Sequence, residues 1–138
     1  MLPLNSDFIK KSLKSVSNDI NSGKFSSAVQ KIHELSKVAP RNDVLYFELG
    51  RIYILTDEFS LAVHNLKTAI LLNPKEPILW QALLNAVILG LDADHKAEYR
   101  NKIKNSPISG SIKQKLLSKF DKKYKAVTLP HHGVPIAK

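Results

Sequence analysis

The chain has 138 residues, 43% of them apolar and 24% charged, which is the composition of a globular domain rather than a disordered one. It has no cysteine, which excludes disulfide staples, thiolate metal sites and a cysteine nucleophile. Its 21 Lys and Arg against 12 Asp and Glu give a net charge of +9, and no apolar run approaches the ~20 residues of a membrane-spanning helix. Apolar residues at helical spacing predict an all-α fold of about seven helices, over 6–21, 25–38, 43–56, 58–72, 76–90, 93–105 and 109–125. Gly23 punctuates the first hairpin, and Pro40 ends the second helix, since the residue before proline avoids the helical region. The third helix starts at Asn42 or Asp43, either of which can cap it. It carries Gly50 in its interior at a cost of about 1 kcal/mol against Ala. That cost predicts a neighbouring helix pressed onto Gly50, with the small residues Ala62 and Ala69 of the fourth helix receiving the contact. Thr56-Asp57-Glu58 supply a turn and a cap, Pro74 ends the fourth helix, and Pro77 suits the first turn of the fifth. Asp92 caps the sixth helix, and Asn105-Ser106-Pro107 break before the seventh. In the seventh, Ile112, Leu116, Leu117, Phe120 and Tyr124 form an apolar stripe, and lysines fill a face expected to be solvated. Residues 126–138 contain two prolines and a glycine and are expected to form an extended tail or linker.

The helices repeat. Counting 34 residues back from Phe59, Ala62, Leu66, Ala69 and Pro74 gives Phe25, Ala28, Ile32, Leu35 and Pro40. Counting 34 forward from Tyr46, Leu49 and Tyr53 gives Trp80, Leu83 and Val87. In this pattern the sequence resembles the tetratricopeptide repeat family, whose 34-residue unit runs W-x2-L-G-x2-Y, then A-x3-F, then a closing Pro. The unit 43–76 matches nearly throughout, through Tyr46, Leu49, Gly50, Tyr53, Ala62, Leu66, Ala69 and Pro74. The unit 9–42 matches in its second helix but has Ser12, Ser15 and Val16 where the aromatic, Leu and Gly would stand. The unit 77–110 matches in its first helix, from Trp80, but has Lys96 and Arg100 at the small and aromatic positions of its second. The resemblance implies an α-solenoid of antiparallel helix pairs with a right-handed superhelix over 1–125, closed by 109–125 as a capping helix.

The resemblance also implies where a partner binds. In the family, the first helix of each unit lines a concave groove that holds peptides or helices. At the corresponding positions stand Val44, Phe47, Glu48, Arg51, Ile54 and Leu55 in the central unit, and Ile78, Gln81, Asn85 and Ile88 in the third. The carboxylate clamp with which some family members grip an acidic tail is not expected, because its positions hold Leu13, Ser17, Glu48, Ile78 and Ala82. An apolar groove suits an amphipathic helix or a proline-containing extended segment. The expected function is therefore a non-enzymatic scaffold or adaptor that binds another protein's apolar segment, with a homo-oligomer as a further possibility. Two alternatives stay open: an N-terminal repeat region of a larger enzyme such as a glycosyltransferase or sulfotransferase, and a basic module for nucleic acid or an anionic surface.

The charge supports the last alternative only at one end. Residues 92–138 hold eleven cations and four anions, or +7, whereas residues 42–91 hold three cations and five anions, or −2. Lysine without arginine, and without aromatics on the same face, is a weak nucleic-acid signature. No catalytic signature is present. The histidines His33, His64, His95, His131 and His132 have no metal-ligand spacing, and there is neither a glycine-rich phosphate loop nor a G-x-S-x-G. No cofactor or metal is expected. The N-terminal Met1-Leu2-Pro3-Leu4-Asn5 lacks a charged region followed by an apolar stretch, so no signal peptide is expected and the cytoplasm is the expected compartment.

Overall fold

A computed structural model describes residues 6–90 and 95–133, with side chains between 7 and 123. The elements are α1 (Ser6–Asn21), α2 (Phe25–Val38), α3 (Asp43–Leu55), α4 (Phe59–Leu72), α5 (Pro77–Gly90), α6 (Lys96–Lys104) and α7 (Gly110–Gly133). No strand occurs among the described residues. The chain divides into two compact units, Met1–Asn73 and Pro74–Lys138. The division falls close to the repeat boundary at 76/77 that the sequence implies.

The first unit holds α1 to α4. Val16 and Ile20 of α1, Ala28, Ile32 and Leu35 of α2, and Leu45, Leu49 and Ile52 of α3 form one buried cluster. Ala62, Leu66 and Ala69 of α4 are fully buried as well. Each helix therefore buries one stripe, as its periodicity predicts.

The 34-residue period is visible in backbone bonds. Gly23 has φ 77°, and Asp57, 34 residues later, has φ 61°. The Lys24 N–H donates to the Asp19 carbonyl at 2.8 Å, and the Glu58 N–H donates to the Tyr53 carbonyl at 2.7 Å. The Gly23 N–H donates to Ile20 and the Asp57 N–H to Ile54, so both hairpins close with the same left-handed turn. At the other end, Val44 N–H donates to the Asn42 side chain at 2.9 Å, and Ile78 N–H to the Glu76 side chain at 3.3 Å. Asn42, rather than Asp43, is thus the cap of α3. The Tyr46 hydroxyl donates to the Pro40 carbonyl at 2.9 Å, and Trp80 Nε1 donates to the Pro74 carbonyl at 2.7 Å. The aromatic position of the repeat thereby latches the start of a helix to the proline that closed the preceding one.

Three expectations need correction. Gly50 does meet α4, but the side chain nearest to where a Cβ would stand is Leu66, with Cγ at 2.6 Å, rather than Ala62. The larger side chain of α4 reaches into the space that the missing side chain opens. Glu58 makes no side-chain capping bond to α4; its carboxylate accepts from the Thr56 hydroxyl at 2.7 Å. The third correction concerns α7, which continues past 125 to Gly133, so residues 126–133 are helical rather than extended. Proline fixes φ near a helical value, so Pro130 can continue a helix at the loss of one backbone bond. Residues 134–138 lie outside the described residues.

In the second unit, α5 buries Leu79, Trp80, Leu83, Leu84, Ala86, Val87 and Ile88, nearly all round its circumference. Tyr99 and Ile103 of α6, and Leu116 and Phe120 of α7, complete this core. Ile112 and Leu117 are half-buried, and α7 packs on both α5 and α6. Asp92, the expected cap of the sixth helix, lies outside the described residues; α6 begins at Lys96, with His95 before it making no side-chain cap bond.

Candidate functional site

The groove positions on α3 separate into two kinds. Glu48 is buried, and its carboxylate accepts from Arg51 Nη1 at 2.7 Å. Arg51 Nη2 donates in turn to Asn21 Oδ1 at 3.3 Å, from the end of α1. A buried carboxylate needs such a partner, because an unpaired one would be too costly to desolvate. These polar groups, expected to face a partner, are spent on each other and tie α3 to α1. Val44, Phe47 and Ile54 are half-buried, and Leu55, the last residue of α3, is 57% exposed. What these positions of α3 leave at least partly exposed and unpaired is therefore apolar.

The groove positions on α5 show a gradient. Ile78 is 51% exposed, Gln81 is exposed, Asn85 is half-buried, and Ile88 is buried. Asn85, Ile88 and Leu89 meet Lys119, Lys122 and Lys123 of α7 around a hollow of about 410 Å³. The lysines expected to form a plain solvated face thus border the inner end of the α5 groove positions. Asp121, the acid among them, is turned away to Arg100: Nε donates to Oδ1 at 2.8 Å and Nη2 to Oδ2 at 3.0 Å. The bidentate guanidinium holds the Asp121 carboxyl below the usual carboxylate range and pushes the Arg100 guanidinium further up. Arg100 stands where the repeat wants an aromatic, so this departure from the pattern replaces a packing contact with a pairing one. The lone Asp121 in a lysine run was the signal for it.

A second surface went unread in the sequence. Between α1 and α2 lies a hollow of about 650 Å³, lined by Phe8, Ser12, Ser15, Ser27, Lys31, Leu35 and Val38 among others. Ser12 and Ser15 occupy the positions that later repeats fill with Tyr46 or Trp80 and with Leu49 or Leu83. The short side chains leave the space. Lys31 Nζ donates to Ser15 Oγ and to Asp19 Oδ2, each at 2.8 Å, and Ser27 Oγ donates to Asp19 at 2.8 Å. The bonds from Lys31 and Ser27 hold the Asp19 carboxyl below its ordinary range.

Among the described residues no group of three or more His, Cys, Asp or Glu could hold a metal ion, and no helix is long and apolar enough to cross a membrane. His33 and His64 are exposed, and the side chains of His131 and His132 lie outside the described residues.

No protein-family model matches the sequence, and no curated protein does. Solved structures do match. The fold is similar to that of the type III secretion translocator chaperone SycD from Yersinia enterocolitica. The superposition has a TM-score of 0.69 over 94% of this chain and 89% of SycD, at 16% identity. At that identity the likeness is one of fold: an all-α helical-repeat architecture built from helix pairs.

Proposed function

We propose that the protein is a non-enzymatic interaction module of the tetratricopeptide type that holds an apolar peptide or helix of another protein against the first helices of its repeats. The observation that carries this reading is the apolar, partly uncovered surface those helices present. On α3, Leu55 is 57% exposed and Val44, Phe47 and Ile54 are half-buried; on α5, Ile78 and Leu89 are each at least half exposed. Large apolar side chains left uncovered on each of these first helices are what a partner's apolar segment would cover. The polar groups of α3 are already paired within the chain, which leaves apolar contact as the recognition chemistry there. The fold supports the reading too, since SycD is by name a chaperone and so a binder of proteins. The compartment proposed for this module is the cytoplasm.

The test is selection from a random peptide library on the immobilised protein. Wild type enriches peptides with spaced apolar anchors. Phe47→Ala weakens the enriched peptides by about thirtyfold or more, as expected of an aromatic anchor near an interface centre. Enrichment of peptides without apolar anchors, or indifference to Phe47→Ala, refutes the proposal.

A further inference from the structure

The hollow between α5 and α7 has an apolar floor and a cationic rim. Ile88 is buried at its base and Leu89 is half exposed beside it. Asn85 adds an amide that can both donate to and accept from a peptide backbone. Lys119, Lys122 and Lys123 stand at i, i+3 and i+4 spacing, which places all three on one face of α7. Among the described residues no carboxylate lines the hollow, and none of the three lysines has an ion-pair partner. The nearest acid in sequence, Asp121, is held by both arms of Arg100. Three like charges side by side on one helix repel one another, and no acid among the described residues of this surface offsets them.

From this arrangement we infer that the hollow receives an acidic, apolar peptide segment of the partner: a Leu-, Ile- or Met-type side chain in the floor, with flanking carboxylates paired to the three lysines. The inference rests on the peptide-binding reading above and deepens it by stating the partner's charge. A volume of about 410 Å³ lies near the lower end of the range for small-ligand sites, so it takes a side chain or two rather than a whole helix. Nucleic acid fits less well. Among the described residues the lining has no aromatic ring on which a base could stack and no arginine to fork a phosphate.

The experiment uses fluorescein-labelled short peptides with one leucine-rich centre flanked on both sides by glutamate, glutamine or lysine. Binding is measured by anisotropy at low and physiological salt. The glutamate-flanked peptide is expected to bind the wild type about tenfold tighter than the glutamine-flanked one, each exposed lysine–carboxylate contact contributing a few-fold. The lysine-flanked peptide is expected to bind weakest. The Lys119→Glu/Lys122→Glu/Lys123→Glu variant should reverse the order, and the corresponding Lys→Gln variant should level it, with unchanged far-ultraviolet circular dichroism confirming the fold. Equal binding of glutamate and glutamine peptides, still lost in Phe47→Ala, overturns this inference while leaving the apolar groove in place. A lysine-dependent preference untouched by Phe47→Ala upholds the inference and removes the α3 groove. Failure of all three peptides to bind overturns both. Single-stranded oligothymidine binding more tightly than any peptide, and lost in the lysine variants, moves the site to nucleic acid and overturns the inference.

Discussion

Replacing Gly50 with alanine sets two physical effects against each other at one atom. Alanine is the better helix former, and in the middle of α3 it should be worth about 1 kcal/mol. The added methyl carbon would lie 2.6 Å from Cγ and 2.7 Å from Cδ2 of Leu66. Carbon atoms are comfortable at ~3.5–4.0 Å, so something must move by roughly 1 Å. Leu66 is fully buried, and Cγ lies too near its own backbone to swing aside as a side-chain tip would. Overpacking of this kind costs about 1–3 kcal/mol, so Gly50→Ala should destabilise by up to about 2 kcal/mol net. For a chain of this length that is a fall in melting temperature of roughly 4 °C per kcal/mol. The decisive measurement is the double-mutant cycle with Leu66→Ala, by urea unfolding. Leu66→Ala alone should cost about 2–5 kcal/mol through the cavity it leaves. In that background the alanine at 50 has room, and its helix propensity should show as a gain of up to about 1 kcal/mol. The two changes must therefore couple by more than ~1 kcal/mol. Additive effects, or a single Gly50→Ala variant that melts higher than wild type, would refute the argument that close helix approach explains this glycine.

Further expectations follow from the turns, the ion pair and the last helix. Gly23→Ala should destabilise by about 1–2 kcal/mol although its Cβ would meet nothing within 4 Å, because the cost is the left-handed backbone alone; Asp57→Gly at the matching position should be neutral or stabilising in the same thermal melt. Asp121→Asn should cost less than about 1 kcal/mol at pH 7, since Arg100 and Asp121 are 40% and 45% exposed. The Asp121 carboxyl is held below its unfolded value, so its contribution is present above about pH 4 and is lost as pH falls through the depressed value; parallel urea titrations of wild type and variant should converge there. Truncation after Asn105 removes Leu116 and Phe120 from the second core and should produce aggregation or partial unfolding by light scattering and circular dichroism, whereas a monomer of full stability would show that α7 is no cap.

The helices and their repeat were legible because they depend on residues whose effect is local. Pro40 and Pro74 stop helices, and Gly23 allows a left-handed turn. Tyr46 and Trp80 hold equivalent places, whatever packs around them. What was not legible depended on who meets whom. Periodicity placed Gly50 against α4 but could not choose between Ala62 and Leu66, which share one face a single turn apart. Composition argued against a helix through Pro130, yet α7 runs to Gly133. Arg100 looked like a defect in the repeat until Asp121 stood opposite it. The groove positions on α3 were read as one surface, whereas Glu48 and Arg51 neutralise each other and only the apolar members are left for a partner. On α5, the neighbourhood of Asn85 and Ile88 is set by lysines more than thirty residues away in sequence, which no local pattern connects to them.

The latch between Trp80 and the Pro74 carbonyl has a practical consequence. Trp80 is the sole tryptophan of the chain, it is 7% exposed, and its indole N–H is engaged at 2.7 Å. Intrinsic emission excited at the red edge therefore reports on one place, the turn that leads into α5 and the core packing around Trp80. A native spectrum should be blue-shifted, and its shift to the red during unfolding should time the exposure of Trp80 as that joint and its surrounding core open. Circular dichroism sums over all the helices. Comparing the two signals would separate the loss of this joint from the loss of helix as a whole, without adding any label.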